Sequence, residues 1–287
     1  MITRPNVKIN LGLNVIRKRP DGYHDLETLF VPFHGIHDSL EIIEGDDWSR
    51  TSAELVAKYG SLAQAVTPDG KVMISIAKEG GVGWNPLEDL CVKAYGLLAK
   101  DYDLPPVKIF LEKTSPVGAG LGGGSADCAF TLRMLSEIAG LGLTDECLAS
   151  YAAALGSDCA FFIYNRPMWG KGRGEILSDE AVPFSLEGGS IVTPEGRFRI
   201  ELTIPEGTSV STADAYRGIV PREWDMPLAE VLSLPVSRWK DLLFNDFEST
   251  VFAKYPLLGE IKGQLYGNGA VYASMSGSGS AFFSLVP

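Results

Sequence analysis

Residues 7–15 read VKINLGLNV, so that Val7, Ile9, Leu11, Leu13 and Val15 alternate with Lys8, Asn10, Gly12 and Asn14. A period of two predicts a strand with one apolar face, and it sends Lys8 and Asn10 out together from the other. Pro20-Asp21-Gly22 is a turn signal, and residues 26–33 and 38–44 read as further strands. The stretch 45–70 is polar and weakly patterned, an apparent insertion with one short helix over 52–59. Val72, Ile74 and Ile76 predict a strand over 71–77. Asn85-Pro86 opens a helix running to about Lys100, with Leu90, Ala94, Leu97 and Leu98 as its apolar stripe. Val107, Ile109 and Leu111 mark another strand. Helices are expected from Ser125 to about Ala139, and from Thr144 to Leu155 with Gly156 as the stop. The apolar block 160–164 reads as a buried strand. Beyond it the pattern predicts strands near 190–193 and 198–204, helices near 212–218 and 246–266, and a closing hairpin over 270–286. Helices and strands mix without strict alternation, which favours α+β over a doubly wound sheet. The pattern shifts after Trp169, the best place for a domain boundary.

Composition narrows the function. The chain has 287 residues, 45% of them hydrophobic, enough for one large domain or two smaller ones. No apolar run approaches the roughly 18 residues that span a bilayer. The N-terminus lacks the basic-then-apolar layout of a signal peptide, so a cytoplasmic protein with no membrane partner is expected. The net charge of −11 lacks the basic surplus of a nucleic-acid binder. It does not exclude a nucleotide, because a phosphate site needs local donors rather than a global field. Cys91, Cys128, Cys147 and Cys159 form no C-x-x-C pair and have no His at ligand spacing, so they read as buried thiols in a reducing compartment. His24, His34 and His37 are not expected to form a zinc site.

The densest chemical signal is KTSPVGAGLGGGSAD, from Lys113 to Asp127, where five of the seven residues from Gly118 to Gly124 are glycine. Such density costs backbone entropy. Between a strand and a helix it has a use: glycines let the backbone approach an anion at a helix N-terminus. A Walker A loop requires lysine where Gly124 stands, so a P-loop is rejected. Gly118, Gly120 and Gly123 match the dinucleotide pattern G-x-G-x-x-G literally. That pattern needs a strand and an acidic residue about 20 positions on, whereas Asp145 and Glu146 open a helix.

Read as P-x-G-x-G-L-G-G-G-S-[AS]-D, the loop resembles the second signature of the GHMP kinases, the kinases of galactose, homoserine, mevalonate and phosphomevalonate. PNVKINLGL, from Pro5 to Leu13, resembles their first signature, and MSGSGSAFF, from Met275 to Phe283, their third. Three motifs in order span nearly the whole chain. RKRPDGYHDLETLF, LGSDCAFFI and GKGRGEIL further resemble the branch whose acceptor is a cytidine diphosphate-linked methylerythritol. The resemblance implies a two-domain α+β GHMP kinase fold. A ribosomal protein S5 domain 2-like ATP-binding domain would occupy 1–168, and a ferredoxin-like C-terminal domain 169–287. It implies ATP as co-substrate with Mg2+, in a monomer or homodimer. The implied reaction is phosphorylation of the acceptor's 2-hydroxyl in non-mevalonate isoprenoid synthesis. A homoserine- or mevalonate-type kinase is the alternative within the family, and a non-catalytic protein that kept the fold is the alternative outside it.

The same resemblance assigns residues. Lys8 and Asp158 match the catalytic pair. Pro116, Val117, Gly118, Ala119, Gly120, Leu121, Gly122, Gly123, Gly124, Ser125 and Ala126 would line the nucleotide, with Lys113 a further nucleotide contact. Ser125 would cap the helix, approach Mg2+, or do both. Asn10 would meet the sugar-alcohol end, Tyr23 and His24 the cytosine, and Tyr216, after PEGTSVSTADAY, would supply a second stacking ring. Asp89 stands where the family often has Asn near the adenine.

Overall fold

The structure is a computed structural model that describes residues 1–45 and 50–287, with Arg50 placed by its backbone alone. Residues 46–49 of the expected insertion lie outside the described residues. The chain forms two compact units. The first comprises 1–7, 34–117 and 122–165; the second comprises 8–33, 118–121 and 166–287. They are interleaved in sequence, and the last passage from one to the other falls at Asn165–Arg166.

The first unit holds a five-stranded sheet in the order Ile2–Thr3, Ser39–Glu44, Val107–Lys113, Val72–Lys78, Ala63–Val66. All its pairings are antiparallel except that of Val72–Lys78 with Val107–Lys113. The alternating residues that predicted two of these strands, Val72, Ile74 and Ile76 and then Val107, Ile109 and Leu111, are all buried. Within the stretch 45–70 the described residues form a helix, Arg50–Tyr59, and an edge strand, Ala63–Val66. Leu55 packs with Ala77 and Phe110, while Lys58 and Tyr59 both donate to Glu112. The insertion is therefore part of the sheet's packing.

Two local expectations are corrected. The helix expected from Asn85 is two pieces, a 3₁₀ turn over Pro86–Glu88 and an α-helix over Leu90–Leu98. Asp89 separates them in an extended conformation and caps the second through the Cys91 N–H. The apolar block after Asp158 is a helix, Cys159–Tyr164, rather than a strand. A run of six apolar residues has no usable period. What decides it is the left-handed Asn165, φ 48°, which closes the helix by donating its N–H to Phe161 O. The helices Gly123–Ile138 and Asp145–Leu155 match their patterns within two residues, Thr144 capping the second through the Cys147 N–H.

The second unit has two sheets. The first runs Asn6–Lys18, His24–His37, Met168–Gly172, Ile176–Ser178. The second runs Ser185–Glu187, Ser190–Thr193, Gly196–Thr203, Phe282–Val286, Tyr272–Met275. The strand Asn6–Lys18 has no solvated face: Lys8 and Asn10 are each 2% exposed. The helix expected over 246–266 is interrupted at Pro256, which cannot donate into a continuous helix, giving Phe247–Lys254 and Pro256–Gly267. Leu13, Val15, Leu26, Val251, Leu258, Met275 and Phe282 form one core here. The strands Met168–Gly172 and Ile176–Ser178 and the short helices Leu228–Leu232 and Val236–Leu242 had no legible pattern, being at most seven residues long. Of the four thiols, all free, Cys147 is half-buried rather than buried. Among the described residues no helix is long and apolar enough to cross a membrane.

Phe282 is fully buried in that core. Phe282→Ala should lower unfolding free energy by about 3–5 kcal/mol, read as a fall in the denaturant midpoint of the second unit's transition.

Candidate active site

In the second unit, Lys8 is fixed by its own strand and by the glycine loop. Its N–H donates to Leu121 O at 2.9 Å, and its ammonium donates to Gly120 O at 2.9 Å and to Asn10 Oδ1 at 2.5 Å. Asn10 in turn donates to Thr28 Oγ1, and Thr28 donates to Gly12 O. A polar line thus runs along the inner strands, each donor finding an acceptor, as burial requires. Gly120 crosses the third glycine motif. At φ 78°, a Cβ on Gly120 would lie 2.0 Å from Ser276 O. Ser276 Oγ donates back to Gly120 O at 3.1 Å, and Ala281 N donates to Ala119 O. Asn245 holds the other side: its amide donates to Met275 O and Gly277 O, and its Oδ1 accepts from Phe247 N.

The segment after Lys18 turns tightly, with Arg19 N donating to Tyr23 O at 2.8 Å and Gly22 at φ 87°. Tyr23 is 56% exposed, with the Arg173 guanidinium 5.0 Å from its ring centre. His24 stacks on Tyr216 at 4.8 Å and 18°, and Phe247 packs edge-on against Tyr216. Burial, with Lys18 nearby, holds the His24 imidazole below its usual value, so at neutral pH it offers one donor and one acceptor. Two rings at 4.8 Å leave no gap for a third, so Tyr216 backs His24 and the open ring is Tyr23.

In the first unit, the helix Gly123–Ile138 begins at Gly122, φ 73°, with no side-chain cap. Ser125 is the third residue of this helix rather than its cap. The expected capping role falls because the helix starts two residues earlier than predicted. Uncapped N–H groups and the positive dipole end make this an anion site in form. Gly124 is exposed, as are Val117 and Gly118, whereas Ala119, Leu121, Gly123 and Ala126 are buried and Pro116 is half-buried.

Lys113 lies beneath the loop, 7% exposed, its ammonium held by Asp38 and by Asp127 Oδ2 at 2.6 Å. Its ammonium is thus engaged by two carboxylates beneath the loop. Burial pushes Asp38 up, but Lys113 and the Ser115 donors outweigh it and hold Asp38 below the usual range. Burial pushes Asp127 well above that range, Asp38 adding to the effect and Lys113 opposing it. Asp38 thus contributes stability above the ordinary carboxylate range and loses it as pH falls through its lowered value. Asp127 contributes below that range and loses it as pH rises through its raised value. Asp89 is committed to local structure, one oxygen on Cys91 N and the other on Trp84 Nε1. Asp158 is half-buried at the start of Cys159–Tyr164, which its side chain does not cap.

Sequence reasoning missed Asp38, Asp127, Thr28 and Asn245. Asp127 stood in the GGGSAD motif and Asn245 in the NDFE segment, both visible. Asp38 had no local signal, since its partners lie 75–77 residues away.

Glycine-opened backbone at an uncapped helix start, with a buried lysine beneath it, has the form of a phosphate site within an α+β scaffold. Residues 89–166 match the model of the GHMP kinases N terminal domain, and 231–287 that of the GHMP kinases C terminal. The chain is 46% identical over 286 residues to the 4-diphosphocytidyl-2-C-methyl-D-erythritol kinase of Bacteroides fragilis, covering 99% of this chain and 92% of that one. The enzyme of the same name from Bacteroides thetaiotaomicron is 45% identical at the same coverage. A crystal structure of a 4-(cytidine 5'-diphospho)-2C-methyl-D-erythritol kinase superposes with a TM-score of 0.73 at 30% identity, covering 99% of this chain and 90% of that one. The chain belongs to the 4-diphosphocytidyl-2-C-methyl-D-erythritol kinase family of the GHMP kinases.

Gly120→Ala would drive a Cβ into Ser276 O in a left-handed conformation. It should cost about 1–3 kcal/mol or more, measured as a drop in thermal midpoint, and impair turnover with it.

Proposed function

We propose that this chain transfers the γ-phosphoryl group of ATP to the 2-hydroxyl of 4-(cytidine 5'-diphospho)-2-C-methyl-D-erythritol, giving the 2-phosphate and ADP. This is a step of non-mevalonate isoprenoid precursor synthesis. The reading rests on likeness to enzymes of that name along 99% of the chain. The RPDGYH turn adds support, since its exposed aromatic ring and neutral imidazole suit a nucleobase. Residues 1–168 would carry ATP binding and 169–287 would complete the fold. A cytoplasmic location and a monomer or homodimer are proposed with it.

Each site residue has a role here. The N–H groups from Gly118 to Gly124 hold the phosphates, with Pro116, Val117, Ser125 and Ala126 flanking them. Among the described residues no group of three or more His, Cys, Asp or Glu could hold a metal ion. Ser125 would hold Mg2+ together with the substrate phosphates, where the ion would neutralise phosphate charge. Asp158 accepts or orients the proton of the attacking hydroxyl, and Lys8, oriented by Asn10 and Gly120, supplies positive charge. Asn10 has its Oδ1 on Lys8 and its amide on Thr28, so it meets the sugar-alcohol only alongside these bonds. Tyr23 stacks on the cytosine and His24, backed by Tyr216, reads its edge.

A coupled ADP-release assay should show turnover with the cytidylyl acceptor and none with homoserine or mevalonate. Turnover with either of the latter instead would reassign the acceptor, and no ADP release with any would favour a non-catalytic role. Asp158→Asn should lower kcat by about 10²–10⁴-fold, the usual worth of a positioned general base. Turnover near wild type would remove Asp158 from catalysis.

A further inference from the structure

Two carboxylates share one ammonium beneath the helix start, and their surroundings differ. Asp38 Oδ1 accepts from the backbone N–H groups of Thr114 and Ser115, each at 2.7 Å. Its Oδ2 accepts from Ser115 Oγ at 2.7 Å and from Lys113 Nζ. Four donors converge on it, the environment of an ionised carboxylate. Asp127 meets Lys113 through Oδ2 alone, and among the described residues its buried Oδ1 has no partner. The side chains are 0%, 2% and 5% exposed for Asp38, Asp127 and Lys113.

The group also touches the loop. A Cβ on Gly123, the first residue of the helix, would lie 2.2 Å from Ser115 Oγ and 3.1 Å from Lys113 Nζ. Asp38 therefore fixes Ser115 and Lys113 directly against the backbone from which the helix starts. We propose that Asp38 is a positioning residue for the phosphate loop: its four donors tie Ser115 and Lys113 to the backbone from which the helix starts. Asp38→Asn would turn an amide toward donors that need an acceptor. Asp127→Asn keeps the shape of its side chain, and its carbonyl still accepts from Lys113.

The inference rests on the loop's binding ATP, and the test separates the two. Asp38→Asn should raise KM for ATP about tenfold, the scale of one lost charge-assisted hydrogen bond, with KM for the cytidylyl acceptor moving less than about twofold. Should that variant fail to fold, Ser115→Ala should give the same split at about threefold. Asp127→Asn should raise KM for ATP less than Asp38→Asn does. An unchanged KM for ATP in Asp38→Asn or Ser115→Ala overturns the positioning role. Asp127→Asn as damaging as Asp38→Asn overturns the assignment of that role to Asp38, which takes four donors where Asp127 takes one. Gly124→Ala tests the ATP reading itself: its Cβ meets only Leu90 Cδ1, at 3.9 Å, yet would face the phosphates. If KM for ATP is unmoved there, the ATP reading fails; if it rises there but not in Asp38→Asn, only the positioning role fails.

Discussion

The second unit turns on the crossing of two glycine backbones. Gly120 approaches Ser276 so closely that no side chain fits between them, and Gly120 O collects both the Lys8 ammonium and the Ser276 hydroxyl. Lys8 is a buried cation on a strand with no solvated face, a placement that is costly unless every proton on it is used. The crossing supplies the acceptor, Asn10 supplies a second, and Thr28 passes the constraint to the backbone at Gly12. Asn245 fixes the opposite loop by holding two of its carbonyls at once. A charge that would be unstable in isolation is thereby given one orientation.

That constraint explains why glycine density was the most legible signal. Backbone-to-backbone contact excludes a Cβ, so the requirement is written at the residue itself, and a reader of sequence sees it. The same holds for Val7–Val15 and Val107–Leu111, where burial on a pleated strand forces alternation. Asp38 shows the opposite case. Its function depends on donors 75–77 positions away, and any residue on a strand end could look the same. Thr28 and Asn245 were hidden for that reason too: a polar residue acquires its role from what the fold brings to it.

Where expectation and structure parted, the loser was a local preference with too short a span to be decisive. Residues 160–164 are as apolar as a strand, but the left-handed Asn165 and the Cys159 N–H on Gly156 O close a helical turn. Asn85-Pro86 starts a helix as read, yet Asp89 takes an extended conformation and restarts it, because its two oxygens serve Cys91 N and Trp84 Nε1. The aromatic residues of the proposed acceptor site were found by motif, but their division of labour was not. Tyr216 is spent on His24 and Phe247, which leaves Tyr23 as the ring with an open face.

The chain's charge of −11 would seem to oppose a polyanionic substrate. Long-range repulsion is screened within about 8 Å at physiological salt, so what counts lies within a few bonds of the phosphates. On the proposed reading the donors there are backbone N–H groups and a helix dipole, which carry no counter-charge to be neutralised. Two buried lysines lie against the glycine segments, each already engaged. Lys8 donates to Asn10 Oδ1 and Gly120 O, which fix its orientation in the second unit. Lys113, in the first, is matched by Asp38 and Asp127 and so holds the backbone at the helix start. A P-loop would aim a lysine at the phosphates from the position of Gly124; here the buried lysine supports instead the backbone whose N–H groups would face them.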